Sequence, residues 1–168
     1  MSTTVVAGLV GVLGALVGAL AAFSAQWWHS RAEHRRSQEL RADALRDVRR
    51  TACIGYLSQL DLFRERARDV VTAMNGSSSD GRAVAYTRYT QAWRGLVDAL
   101  AALQIAGPER ISAAGVELHN AATAYGAAVD ARHEGGQWAR TGDELERRML
   151  EVRRDFAASS RAALALDA

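Results

Sequence analysis

A charge-free segment at the amino terminus constrains the fold of this chain more than any other feature. From Ser2 to Ser30 no residue is Asp, Glu, Lys or Arg, and the strongly apolar part runs from Val5 to Ala25. As a helix these 21 residues are about 31 Å long at ~1.5 Å per residue, which matches the ~30 Å hydrocarbon core of a bilayer. The sequence therefore predicts a transmembrane helix within residues 1–30.

Two other interpretations explain this segment less well. A cleaved signal peptide has a basic start and an apolar core of about 7 to 15 residues. Here nothing basic precedes Val5, although Ala22-Phe23-Ser24 resembles a cleavage site. A buried helix of a water-soluble protein carries a polar side, but the leucines and valines of this segment point in all directions. A permanent anchor is favoured, and cleavage stays open as the alternative.

The residues that follow the segment predict its orientation. Trp27 and Trp28 suit the membrane interface, and Arg31, Arg35 and Arg36 follow, whereas no basic side chain precedes the segment. Basic residues favour the cytoplasmic side of a membrane and are attracted by its anionic headgroups. We therefore expect a single-pass protein of the cell membrane, with its amino terminus outside and its carboxyl-terminal part in the cytoplasm.

Small residues line one face of the predicted span. They are Gly11, Gly14, Gly18, Ala22 and Ala25. The pair Gly14-x-x-x-Gly18 is the minimal pattern that lets two helices approach closely in lipid. It predicts that the span packs against a second copy of itself or against the span of another protein. A plain anchor is the alternative, because the pattern is common by chance in Gly- and Ala-rich spans.

The remaining composition limits the function classes. A formal net charge of +2 is too small to indicate nucleic-acid binding, and all 21 basic residues are Arg. Cys53 is the only cysteine, which excludes an intrachain disulfide and a Cys-rich metal site. No Glu is followed three residues later by His, the spacing of di-iron sites in helical bundles.

The sequence predicts no catalytic residues, no metal site, no cofactor and no enzymatic activity. It lacks a Gly-rich phosphate loop, a nucleophile elbow and a Cys/His pairing. His119 lies beside the apolar stripe of a predicted helix. We expect it to be a half-buried, hydrogen-bonded side chain rather than a ligand.

Beyond the span the chain carries helical patterns. Three breaker segments divide it, at 75–81, 106–109 and 134–137, and between them apolar residues recur at alternating threes and fours. Gly107 suits a helix end and Pro108 the start of the next helix, while Thr141–Glu144 resembles a capping box. The predicted helices are 45–74, 82–105, 108–132 and 142–166. The predicted core stripe of the first begins with Leu45 and Val48, and that of the second with Tyr86, Tyr89 and Trp93.

These patterns predict an all-α chain. Apolar stripes of this kind form the seams of coiled coils and bundles, and short connections favour antiparallel neighbours. The predicted fold is an N-terminal transmembrane helix that continues into an antiparallel up-down-up-down four-helix bundle. Its parts are the transmembrane helix (1–30), a juxtamembrane helical stalk (31–44) and a cytoplasmic bundle (45–168).

The layout resembles that of known bacterial proteins. The span is followed by the Arg-rich stretch "RRSQELRADALRDVRRTACIGYLSQLDLFRERA", Arg35 to Ala67. In layout the chain resembles uncharacterised actinobacterial single-span membrane proteins with an Arg-rich cytoplasmic helical domain. The resemblance implies the same topology, and it implies no activity.

Two functions fit this layout. The first is a non-enzymatic, membrane-anchored interaction or scaffold protein that forms homo-oligomers through its span and recruits a cytoplasmic protein partner. The alternative is an oligomeric membrane-active assembly, such as a small pore or a defence effector. Because no polar residue lies between Val5 and Phe23, such a pore would be hydrophobic and would have to gate by dewetting.

The predicted orientation can be tested with a reporter enzyme fused after Ala168. Because arginines follow the apolar segment and none precedes it, we expect activity only from a reporter that works in the cytoplasm. Activity from a reporter that requires export would contradict the orientation.

Overall fold

Four α-helices make up the described part of the chain. The computed structural model describes residues 3–76, 78–136 and 138–166, with side chains for 40–76, 78–136, 138 and 141–165. The helices are α1 (Thr3–Gly76), α2 (Ser79–Ala106), α3 (Glu109–His133) and α4 (Ala139–Leu166), and these residues contain no strand. The predicted all-α class and the helical bundle are therefore confirmed.

The chain divides into two compact units, Met1–Ala44 and Leu45–Ala168. Among residues described with their side chains, no helix combines the length and apolar character needed to cross a bilayer. The predicted span, Val5–Ala25, falls outside those residues. So do the predicted packing and interface residues, Gly11, Gly14, Gly18, Ala22, Ala25, Trp27, Trp28, Arg31, Arg35 and Arg36.

The second unit contains the hydrophobic core, to which all four helices contribute. Its buried side chains recur at threes and fours along each helix, as the predicted stripes require, because that spacing keeps them on one helical face. The largest are Tyr56, Leu60, Phe63 and Val70 of α1, Leu96 and Leu103 of α2, Ile111, Leu118, Tyr125 and Val129 of α3, and Met149 and Phe156 of α4.

The predicted stripe of α1 begins too early. Leu45 and Val48 continue its spacing, but they are 55% and 54% exposed, and the buried part starts at Cys53. A periodic pattern indicates only that one face of a helix is apolar. Burial also requires a neighbouring helix that covers that face.

Contacts between helices show the direction of each one. Between α1 and α4, Tyr56 contacts Phe156 and Arg64 pairs with Glu146, so these two helices are antiparallel. Between α1 and α3, Tyr56 contacts Gly115 and Asn75 contacts Arg132 at the other end, so these helices are parallel. The same reasoning makes α2 antiparallel to α3, since Tyr86 stacks on His133 and Trp93 on His119.

Local sequence explains where α2 begins and ends. Ser78 is its N-cap, and the Ser78 hydroxyl accepts a hydrogen bond from the Gly81 amide at 3.3 Å, so the helix starts at Ser79, earlier than predicted. At the other end the Gly107 amide donates to the Leu103 carbonyl at 2.8 Å, which confirms the predicted C-cap. Pro108, with φ fixed near −64°, is then the N-cap of α3.

The predicted capping box at Thr141–Glu144 is wrong. Helix α4 begins at Ala139, so this motif lies inside its first turns. The turn is set by Trp138, whose carbonyl accepts from the Gly142 amide at 3.3 Å and whose indole donates to the Asp143 carboxylate at 3.1 Å. Helix α4 therefore begins directly after Trp138, before the predicted threonine cap.

Neighbouring positions on α2 give a direct test of the core. Leu96 is 0% exposed and Val97 is 42% exposed. In a chain of residues 40–168, Leu96→Asp buries a carboxylate without a partner and should lower the free energy of unfolding by about 3 kcal/mol or more. Val97→Asp, the control, should change it by less than about 1 kcal/mol. Urea denaturation followed by far-UV circular dichroism measures both, and equal losses would contradict the assigned core.

Candidate binding groove between α2 and α3

A groove of about 230 Å³ lies between α2 and α3. Its lining comes from one face of each helix, because the positions are three or four residues apart. Helix α2 contributes three aromatic side chains and a hydroxyl, and α3 contributes small residues and one carboxylate. The lining residues are Tyr86, Tyr89, Thr90, Trp93, Thr123, Gly126, Ala127 and Asp130.

The base of the groove is held by Tyr89, which is buried against Gly126. The Tyr89 hydroxyl donates a hydrogen bond to the Gly126 carbonyl at 3.2 Å. A Cβ atom on residue 126 would lie 3.0 Å from the Tyr89 hydroxyl oxygen, so glycine is what permits this approach. From α1, Phe63 packs behind Tyr89 and Trp93, with ring centroids 5.6 and 5.3 Å away. The aromatic side chains are therefore held in place from behind.

Two histidines of α3 stack on the aromatic residues at either end of the groove. The His133 ring lies parallel to that of Tyr86 at a centroid distance of 3.8 Å, and the His119 ring lies 5.1 Å from that of Trp93. Each histidine therefore covers one face of its aromatic partner.

The expectation for His119 is confirmed in part. The side chain is half-buried, but its Nδ1 has no hydrogen-bond partner among the described residues. Its stabilising contact is instead the stacking on Trp93. Burial lowers the pKa of His119 below its ordinary 6.5, which favours the neutral imidazole at neutral pH.

Asp130 is the one carboxylate that lines the groove. It accepts a hydrogen bond from the Tyr86 hydroxyl at 3.2 Å. Burial, and then the negative charge of Asp130, raise the pKa of both Tyr86 and Tyr89, so both phenols stay protonated. The nearby Arg132 guanidinium is directed elsewhere, to the Gly136 carbonyl and the Asn75 side chain.

A second polar cluster joins α1 to α4. Glu146 accepts from Arg64 at 2.7 Å and from Arg68 at 2.8 Å, and Asp61 pairs with Arg153 at 2.6 Å. Three arginines face two carboxylates here, and the pairs connect residues along two antiparallel helices. The more exposed pair, Asp61 with Arg153, contributes about 0 to 1 kcal/mol, and we assign the cluster to helix register rather than to a binding site.

The single thiol is not placed for catalysis. Cys53 is 4% exposed, and burial raises the pKa of its thiol, which disfavours the reactive thiolate. Among the described residues no group of three His, Cys, Asp or Glu side chains could hold a metal ion.

Sequence reasoning missed the groove because it assigned Tyr86, Tyr89 and Trp93 to the core seam. Tyr86 and Trp93 are only partly buried. A usable signal existed on α3, where His119, Asp130 and His133 lie on one helical face beside the apolar stripe.

No protein-family model, curated protein or solved structure matches the chain. The groove is therefore interpreted from its own chemistry.

The lowered pKa of His119 predicts a pH-dependent stability. The unfolded chain binds a proton at His119 near pH 6.5, whereas the folded chain binds it only at lower pH. The stability that neutral His119 contributes is therefore fully present above the pKa that this residue has in the unfolded chain. It is lost as the pH falls below that value. In thermal unfolding of residues 40–168 from about pH 7.5 downward, His119→Phe, which keeps a stacked ring, should lose less stability than the unchanged chain. Parallel pH profiles for the two chains would contradict the assignment.

Proposed function

We propose that this chain is a non-enzymatic, membrane-anchored helical binding protein whose bundle presents the α2/α3 groove on the cytoplasmic side. In this proposal a transmembrane helix within residues 1–30 continues through a helical stalk, 31–44, into the antiparallel bundle of 45–168. The observation that carries the proposal is the charge-free segment from Ser2 to Ser30 with arginines on its carboxyl side alone.

The flanking residues support an anchored position. Trp27 and Trp28 are suited to the headgroup layer, and Arg31, Arg35 and Arg36 to anionic lipids of the cytoplasmic leaflet. Each arginine near such a surface contributes about 1 kcal/mol of attraction. An anchor of this kind keeps the bundle at the membrane surface.

The lining of the groove supports binding rather than catalysis. Its tyrosines stay protonated, its threonine hydroxyls donate to backbone carbonyls, and its described carboxylate accepts from Tyr86. Enzymes that transfer acyl or phosphoryl groups pair a nucleophile with a base or a metal. The described lining offers shape, aromatic surface and one negative charge instead.

Self-association through the span completes the proposal. Gly11, Gly14, Gly18, Ala22 and Ala25 recur on one face of the predicted span, where small residues let two backbones approach. Two or more copies would then display their grooves together, which raises the effective concentration of binding sites at the membrane.

A pair of double substitutions tests self-association. Gly14→Leu with Gly18→Leu adds bulk at the closest approach of two spans, and should lower a membrane dimerisation signal several-fold while insertion stays intact. The matched control is Leu13→Ala with Leu16→Ala, which alters other faces and should change the signal less. The measurement is a membrane dimerisation reporter, supported by crosslinking in native membranes, at equal expression. Equal signals for the unchanged chain and the Gly14/Gly18 variant would reduce the span to an anchor.

A further inference from the structure

The α2/α3 groove combines three aromatic side chains with one carboxylate that has no basic partner among the described residues. Aromatic rings attract cations through their negative faces, and a nearby carboxylate adds charge attraction. We propose that this groove binds a small quaternary ammonium cation of the choline type, held against Tyr86, Tyr89 and Trp93 and beside Asp130. This inference rests on the proposed role of the groove as a binding surface, and it does not require the membrane anchor.

The charge of the groove favours a cation. Asp130 brings a carboxylate to the groove, and its described neighbours there are the neutral hydroxyls of Tyr86 and Tyr89. Glu134, one turn further along the chain, adds negative charge near Tyr86. The arginine closest in sequence, Arg132, is engaged by Asn75 and the Gly136 carbonyl. An anion would therefore meet repulsion from Asp130 at this site.

The two tyrosines offer ring surface rather than hydrogen-bond donors, because the Tyr86 hydroxyl donates to Asp130 and the Tyr89 hydroxyl donates to the Gly126 carbonyl. Tyr86 and Trp93 are partly exposed, and a ligand in the groove would meet the part of each ring that lines it. His133 stacks on Tyr86 and His119 on Trp93, while Phe63 packs against Tyr89 and Trp93, so these rings are held in place before a ligand binds.

A methylated cation asks less of the groove than a primary ammonium, which carries three donors that lose their water on binding and must each find an acceptor. A trimethylammonium group has no N–H donor, and its methyl groups replace water with aromatic surface at little cost.

The size of the groove agrees with a small head group. Its volume, about 230 Å³, is below the range of about 300 to 1,000 Å³ typical of sites for drug-sized ligands. A larger ligand would place only its cationic end in the groove. The same cation can come from a free small molecule or from the choline head group of a lipid.

Equilibrium dialysis with radiolabelled choline tests the proposal on the full chain, kept in a maltoside detergent that carries no ammonium group. We expect saturable binding at one site per chain, which tetramethylammonium displaces. The neutral analogue 3,3-dimethylbutanol has the same shape without the charge, and should displace choline at least about tenfold less well. Absence of saturable choline binding, or equal displacement by the neutral analogue, would overturn the proposal.

Two aspartates provide a matched pair of variants. Asp130→Asn removes the charge but keeps an oxygen that can accept from Tyr86, and should raise the Kd for choline about tenfold. Asp98→Asn removes an exposed charge on the same helix as the aromatics but outside the groove, and should leave the Kd unchanged. Equal choline affinities for the two variants would contradict the site. Circular dichroism checks that both fold, and if Asp130→Asn does not, the comparison of choline with its neutral analogue decides alone.

Glycerophosphocholine distinguishes the two sources of the ligand. Tighter binding than choline would assign the groove to a lipid head group, and weaker binding would assign it to a free cation; failure of both to bind would overturn the inference. Failure of the membrane anchor is measured separately, by the reporter fused after Ala168. If the chain binds choline but does not insert into the membrane, the proposed anchor is wrong and the proposed cation site is still supported.

Discussion

Two tyrosine-to-glycine hydrogen bonds fix how closely α3 lies to its neighbours. Tyr56 of α1 donates to the Gly115 carbonyl at 3.1 Å, and Tyr89 of α2 donates to the Gly126 carbonyl at 3.2 Å. A Cβ atom on residue 115 would lie only 2.5 Å from a Leu103 methyl carbon. Both hydroxyls are buried, where an unsatisfied polar group costs about 1 to 3 kcal/mol, so each bond is needed once the tyrosine is inside. The spacing of α1, α2 and α3 depends on these two contacts.

The core and the groove are therefore parts of one packing arrangement. The ring of Tyr89 is buried beside Phe63, while its hydroxyl ends at the base of the groove. Tyr86 and Trp93 extend the same row toward the surface and stay partly exposed. A change that loosened α3 would alter the groove as well as the stability of the bundle. Packing in the core therefore also holds the residues of the proposed binding surface in place.

The sequence was sufficient to predict four helices, because long stripes of apolar residues and clear breakers specify them. Helix α1 ends at Gly76 and α2 ends just before Gly107, at the predicted breaker segments. The sequence could not show that Leu45 and Val48 are exposed, because their exposure depends on whether a neighbouring helix covers them. It was also insufficient at the start of α4, which begins at Ala139, ahead of the predicted capping box. The aromatic residues of α2 alone could not predict the groove, because the same spacing describes a packing seam whether or not it is fully covered.

Cys53 has a consequence for the redox behaviour of the chain. It is the sole cysteine, and its thiol is buried beside Ser160 with its pKa raised by that burial. Disulfide formation requires an accessible thiolate. If copies of the chain associate as proposed, they would therefore stay free of disulfide crosslinks unless the bundle opened first. Oxidising conditions would then leave the proposed association reversible.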